Sequence, residues 1–115
     1  MKGAAEEDLA LRHLQAQGMK LVARNWRCAG GELDLVMRHG VVLVIAEVRK
    51  RSNTAFGSAA ESVDARKRAR IVRATRLFLA AHADYAQLEV RFDVLALDAA
   101  NSIQWLRAAF DAQGY

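Results

Sequence analysis

One run of residues constrains the fold more than any other part of the chain. Residues 41–48 read Val-Val-Leu-Val-Ile-Ala-Glu-Val, with a single polar side chain near the end. Successive side chains of a strand point to opposite faces of a sheet, so an apolar run without alternation indicates burial on both faces. Its uninterrupted aliphatic part, residues 41–46, is about a third of what a membrane-spanning helix needs. The run therefore predicts a central strand, and we expect no membrane segment.

Helix and strand patterns surround this run. Ala10, Leu11 and Leu14 have helical spacing and Gly18 is a plausible stop, which predicts a first helix over residues 5–17. Further patterns predict strands over 21–27, 32–37, 89–97 and 103–106, a second helix over 61–82, and a loop over 52–60 around Phe56-Gly57. The order α-β-β-β-α-β-β predicts an α/β fold with a mixed central sheet flanked by helices. With 115 residues and no proline, we expect one domain over 1–115.

Charge and cysteine content narrow the partners and the compartment. The chain has 17 Lys and Arg against 13 Asp and Glu, a net charge of +4, which favours an anionic partner such as nucleic acid. Cys28 is the sole cysteine, so neither an internal disulfide nor a cysteine-rich zinc site is available. Acids at positions 6–8 stand where a secretory signal needs apolar residues. These features predict a cytoplasmic protein.

Glu7 is a carboxylate on an apolar helix face. Glu7, Ala10 and Leu14 are spaced i, i+3 and i+7, so the carboxylate shares the stripe that faces the core. Burying it costs free energy unless a cation, a metal or hydrogen-bond donors compensate. Two interpretations stay open: a functional carboxylate, or a residue at the edge of the stripe that reaches solvent or favours the helix dipole.

Two further carboxylates lie inside predicted strands. If residues 32–37 and 41–48 pair about a His39-Gly40 turn, Asp34 and Glu47 come roughly opposite each other. Two close carboxylates repel, so we expect a positive charge between them. That charge is either Arg49, which shares a strand face with Glu47, or a hard divalent ion such as Mg²⁺ or Mn²⁺.

One helix acid and two strand acids next to a cation suit phosphodiester hydrolysis. The metal would neutralise phosphate oxygens and lower the pKa of a water, while the cation stabilises the transition state. A salt-bridge cluster with Arg49 and Arg51 is the alternative, and spacing does not separate the two. Glu32 shares a face with Asp34 and ranks as a weaker ligand candidate. Asp93 is expected to form an internal pair with Arg91.

Six short motifs carry a family resemblance. They are Gly3-x-x-x-Glu7-x-x-Ala10, Arg24-Asn25-Trp26-Arg27, Gly31-Glu32-Leu33-Asp34-Leu35, Glu47-Val48-Arg49-x-Arg51, Phe56-Gly57 and Arg91-Phe92-Asp93-Val94. Together they resemble the YraN-like family of uncharacterised small bacterial proteins. That family is similar to the restriction-endonuclease-like PD-(D/E)xK superfamily, and in pattern to archaeal Holliday-junction resolvases. The resemblance implies a restriction-endonuclease-like core.

The resemblance also implies roles for four residues. Glu7 becomes the helix acid, and Asp34 and Glu47 become metal ligands, with the Val48 carbonyl as a further candidate. We therefore expect Glu7, Asp34 and Glu47 together to hold Mg²⁺ or Mn²⁺. Arg49 falls where the superfamily signature has Lys. Because Arg stays protonated, it orients water or stabilises charge but does not serve as a base. The departure bears on catalysis more than on the fold.

The second predicted helix is strongly basic. Between positions 66 and 76 it carries no acid and six basic residues, which are Arg66, Lys67, Arg68, Arg70, Arg73 and Arg76. Arg66, Arg70 and Arg73 fall on one side, flanked by Lys67 and Arg76. Such a stripe binds phosphate backbones without reading sequence, and a merely solvated helix face is the alternative. We expect Arg51, Lys67 and the stripe to bind nucleic acid.

These inferences favour a metal-dependent nuclease that hydrolyses phosphodiester bonds in structured or branched DNA. The alternative is a non-catalytic nucleic-acid-binding protein that retains a nuclease fold, which Arg49 favours. A third is an interaction subunit whose basic helix docks on an acidic protein. Because junction resolvases act as dimers on a two-fold substrate, the resemblance also allows a homodimer.

Overall fold

The computed structural model describes residues 3–51 and 63–115. Its elements follow the predicted order: α1 (Ala4–Ala16), β1 (Lys20–Cys28), β2 (Gly31–His39), β3 (Val42–Lys50), α2 (Ala65–Ala81), β4 (Glu89–Leu97) and β5 (Ile103–Phe110). A single 3-10 turn, Ala83–Tyr85, follows α2. The predicted loop over 52–60 lies outside the described residues. Among the residues described, no helix is long and apolar enough to cross a membrane.

The five strands form one mixed sheet in the order β1-β2-β3-β4-β5. β3 and β4 are parallel, and α2 makes the crossover between them. The other neighbouring strands are antiparallel. β2 and β3 form the predicted hairpin, in which His39 pairs with Val42 and Gly40 takes the positive φ of 63° that the tight turn requires. The expected α/β architecture is confirmed.

The helices cover opposite faces of the sheet, as the central run predicted. Leu43 and Ile45 of β3 pack into a core cluster with Phe78 of α2. Val44 and Val48 of the same strand pack into a second cluster on the α1 side. All four are fully buried. β3 is thus enclosed on both faces, and Glu47 near its end is brought into the interior.

Two predicted boundaries differ from the observed ones by more than two residues. α2 begins at Ala65 rather than near residue 61, because the Asp64 carboxylate accepts a 2.8 Å hydrogen bond from the Lys67 amide and caps the helix. β5 extends to Phe110 rather than residue 106. Its extension is held by Asp93 of β4, which accepts a 3.0 Å hydrogen bond from the Ala108 amide.

Candidate functional site

The candidate site lies where β2 and β3 separate. Their ladder ends at the pair Leu35 and Ala46, although both strands continue. Beyond that pair β2 remains bonded to β1, and β3 remains bonded to β4. We call this opening in the sheet the fork.

Asp34 and Glu47 are the first residues of the fork, and each holds the opposite strand. The Val48 amide donates a 3.0 Å hydrogen bond to Oδ2 of Asp34. The Asp34 amide donates a 3.4 Å hydrogen bond to Oε2 of Glu47. Asp34 is 1% exposed and Glu47 is 0% exposed. The side chains thus replace ladder bonds and fix each other, which confirms that the two carboxylates come together across the hairpin.

Lys67 brings a positive charge to this pair from α2. Its Nζ lies 3.7 Å from Oε1 of Glu47, and its side chain is 30% exposed. The sequence predicts Lys67 at the edge of the basic stripe, among the residues that bind nucleic acid. In the structure it lies in line with the buried face of α2, four residues before Ile71 and eleven before Phe78. That spacing was the signal in the sequence for a lysine directed toward the sheet.

Gly31 allows α2 to approach the fork. A Cβ at this position would lie 3.2 Å from the Arg70 carbonyl oxygen and 3.3 Å from Cβ of Ala74. Contacts this short leave little room for a side chain, so glycine at the start of β2 lets the helix pack directly over that strand. The amino-terminal half of α2 is thereby held above Asp34 and Glu47.

Glu7 is buried, as the helical spacing predicted, but its partners belong to β1. Its Oε1 accepts hydrogen bonds from Nε of Arg24 at 3.2 Å and from Nδ2 of Asn25 at 3.0 Å. Arg24 also pairs with Asp8 at 2.7 Å. The hydrogen bond to Asp8, with help from Glu7, raises the pKa of Arg24 against the desolvation that lowers it. With 5% exposure, Glu7 is not a solvated residue at the edge of the stripe.

Asn25 places the Glu7 cluster beside the fork without joining it. Asn25 has a φ of 53° within β1, a left-handed conformation that Asn tolerates better than most residues. It lies level with Asp34, because Arg24 pairs with Leu35 and Trp26 pairs with Leu33. The sequence did not predict Asn25 as a site residue. The signal for it was an Asn, a poor strand former, inside a predicted strand. Through Asn25, the Glu7 cluster therefore lies on the strand next to Asp34.

The fork offers two carboxylates to a metal. Within residues 3–51 and 63–115, no group of three or more His, Cys, Asp and Glu side chains is arranged to hold a metal ion. Mg²⁺ is commonly bound by one or two carboxylates, with water and substrate phosphate completing its shell. Asp34 and Glu47, each oriented by a backbone amide, fit that donor set. Glu7, the third predicted ligand, accepts hydrogen bonds from Arg24 and Asn25, and its part in metal binding stays a prediction.

The other polar candidates have different surroundings. Within the described ranges, Arg49 forms no ion pair with Asp34 or Glu47, and the cation beside Glu47 is Lys67. Arg51 hydrogen-bonds the Gln104 side chain. Glu32, on the β2 arm of the fork, pairs with Arg27 of β1 at 3.3 Å.

Asp93 forms the internal pair that the sequence predicted. It accepts two 2.9 Å hydrogen bonds from Arg91, one from Nε and one from Nη2. These bonds raise the pKa of the Arg91 guanidinium, against desolvation that lowers it. The indole of Trp105 donates a further 2.9 Å hydrogen bond. Asp93 is therefore committed to joining β4 with β5.

The outer side of α2 carries exposed arginines. The basic face, as we define it, consists of Arg66, Arg70, Arg73 and Arg76, all of which are exposed. Arg68 does not belong to it, because its guanidinium donates to the carbonyl oxygens of Val63 and Gly114. α2 therefore directs one lysine at the fork and four arginines at solvent.

The fold and the fork define a class: an α/β protein whose mixed sheet opens beside a buried carboxylate pair. Within that class, the chain belongs to the uncharacterised protein family UPF0102, whose sequence model matches residues 6–97. It is 48% identical over 113 residues to a UPF0102 protein of Stutzerimonas stutzeri strain A1501, covering 96% of this chain and 94% of the relative. A UPF0102 protein of Pseudomonas entomophila strain L48 is 49% identical over 113 residues, with 95% and 92% coverage. The expectation of an uncharacterised bacterial family is confirmed.

Proposed function

We propose that this protein is a metal-dependent nuclease of the restriction-endonuclease-like class that hydrolyses phosphodiester bonds in structured or branched DNA. The observation that carries the proposal is the fork, where Asp34 and Glu47 are buried together and each is fixed by the other strand's backbone. A buried carboxylate pair costs free energy, so its presence at an opening in the sheet favours a functional role.

The residues of the fork would bind the metal ion and keep it aligned with the phosphate. Asp34 and Glu47 would hold Mg²⁺ or Mn²⁺, which supplies positive charge to the phosphate and makes water more acidic. In the reaction the water oxygen bonds to phosphorus and the bond to the leaving sugar oxygen breaks. The proton lost by the water ends on that leaving oxygen. The two backbone hydrogen bonds keep the carboxylates aligned and so avoid reorganisation during the reaction.

The basic face would bind the parts of the nucleic acid that extend beyond the fork. Its arginines are exposed and lie on the same helix that contacts Glu47 through Lys67. Arginines in such a row bind phosphates at successive positions along a strand of nucleic acid, without base readout. Arg51, beside Gln104 after the end of β3, lies four residues after Glu47 and would be a further phosphate contact at this end of the strand.

Cleavage assays test the proposal. The wild type, incubated with labelled four-way junctions, flaps and duplexes, should cleave at least one of them in Mg²⁺ or Mn²⁺ and none in chelator. Asp34→Asn and Glu47→Gln should each lower the rate by about 100-fold or more, as expected when charge stabilisation is lost. Glu89→Gln is the matched control, because Glu89 is exposed at the start of β4, where it pairs with Val42 at the end of β3 opposite to Glu47.

Two results would overturn the nuclease proposal. One is a folded wild type that cleaves none of these DNAs with either metal. The other is cleavage that survives unchanged in both Asp34→Asn and Glu47→Gln. Circular dichroism of every variant separates a loss of chemistry from a loss of fold.

A non-catalytic nucleic-acid-binding protein is the second candidate. Two observations favour it. Oε1 of Glu7 accepts hydrogen bonds from Arg24 and Asn25, and position 49, where the superfamily signature has Lys, holds an Arg that does not serve as a base. Such a protein should bind DNA with the same affinity in Mg²⁺ and in chelator. It should also give no calorimetric signal for Mn²⁺ that Asp34→Asn removes.

A further inference from the structure

Lys67 is a basic residue of α2 that lies outside the basic face and is directed at the fork. Its ammonium lies 3.7 Å from Glu47, whereas Arg66 and Arg70 on the same helix are exposed. At 30% exposure Lys67 contacts the buried carboxylate and still reaches solvent. The ammonium group of Lys67 would therefore contact a metal ion or a phosphate that binds in the fork.

We propose that Lys67 is the catalytic cation of this site, facing the scissile phosphate in the place that the sequence resemblance gives to Arg49. This inference rests on the proposed nuclease function. Negative charge grows on the phosphate during hydrolysis, and a fixed cation in a partly buried site stabilises that charge strongly. The described ion pairs place Lys67, and not Arg49, beside Glu47.

The local structure holds Lys67 in position. Its own backbone amide donates the capping hydrogen bond to Asp64, at 2.8 Å, which fixes the first turn of α2. One turn further along the helix, the close approach to Gly31 fixes the distance between α2 and β2. A cation whose backbone is fixed in this way needs little rearrangement to act on a phosphate.

The proposal predicts opposite effects on metal binding and on turnover. A positive charge beside Glu47 repels a divalent ion that shares this carboxylate, so removing the charge should tighten metal binding. The same change should slow cleavage, because the phosphate loses its fixed cation. A residue with a purely structural role in orienting Glu47 would instead weaken metal binding when it is replaced.

The experiment compares Lys67→Gln, Lys67→Arg and Lys50→Gln with the wild type. Mn²⁺ affinity is measured by calorimetry, and cleavage is measured as a single-turnover rate at saturating metal and enzyme. For Lys67→Gln we expect Mn²⁺ affinity to rise by about threefold and the cleavage rate to fall by about tenfold or more. Lys67→Arg keeps the charge and should recover cleavage to within about fivefold of the wild type.

Lys50→Gln is the charge-matched control. Lys50 is exposed at the end of β3 and points to the face opposite Glu47. It should keep the wild-type rate and Mn²⁺ affinity. The inference is overturned if Lys67→Gln cleaves at the wild-type rate, or if it folds normally but binds Mn²⁺ more weakly. A wild type without any cleavage activity overturns the proposed nuclease function itself.

Discussion

Four carboxylates are buried among the described residues, and their partners give them different roles. Glu7 is bound by side chains of β1, and Asp93 by side chains and backbone of β4 and β5. Asp34 and Glu47 instead hold each other's strands across an opening. Glu7 and Asp93 thus join elements of the fold, and the pair in the fork is the one that we propose for chemistry.

Asp93→Ala should destabilise the protein by about 2–4 kcal/mol, because it leaves Arg91 and the Trp105 indole without their buried acceptor. Urea unfolding followed by circular dichroism measures the change. Asp84→Ala, at an exposed position in the 3-10 turn, is the control and should stay within about 0.5 kcal/mol of the wild type. Equal stability of the two variants would contradict the role given to Asp93.

The sequence predicts Asp34 and Glu47 as a pair because a tight hairpin fixes the register of its strands. A residue's distance from the turn then determines its partner. Asn25 and Lys67 were harder to anticipate. The left-handed backbone of Asn25 accompanies a tertiary contact with Glu7, which a local pattern does not show. The spacing of Lys67 from Ile71 and Phe78 directs it toward the sheet, but only the packed helix shows that it reaches Glu47.

Among the elements, α2 has two faces with different contacts. Its inner face packs Ile71 and Phe78 into the core and brings Lys67 to Glu47. Its outer face presents exposed arginines. The start of the helix depends on the Asp64 cap, and the full length of β5 depends on Asp93. Local patterns predicted both elements, but a local cap sets the start of α2 and a contact with β4 sets the end of β5.

Neutralising the outer face of α2 should weaken DNA binding in a salt-dependent way. With Arg70→Gln and Arg73→Gln combined, the slope of log K against log salt should fall in magnitude by about 2, because each lost phosphate contact removes about 0.9. Fluorescence anisotropy over a salt series measures the slope. The control combines Arg12→Gln and Arg107→Gln, two exposed arginines outside α2. The same slope in both double variants would argue against the basic face.

For the whole molecule, the net charge of +4 hides a separation of charges. Exposed arginines lie on one side of α2, while two carboxylates lie beneath its opposite side in the fork. The doubly buried strand β3 explains this arrangement. It carries Glu47 into the interior, and the helix that must cover its face supplies the basic residues.

The most direct test of this account is the anomalous diffraction of crystals soaked in millimolar Mn²⁺. We predict a peak in the fork, at about 2.0–2.3 Å from carboxylate oxygens of both Asp34 and Glu47, with water in the remaining positions. Crystals of Asp34→Asn should lack it. A fork without a peak, or a peak bound by Glu7 and not by Asp34 or Glu47, would contradict the account.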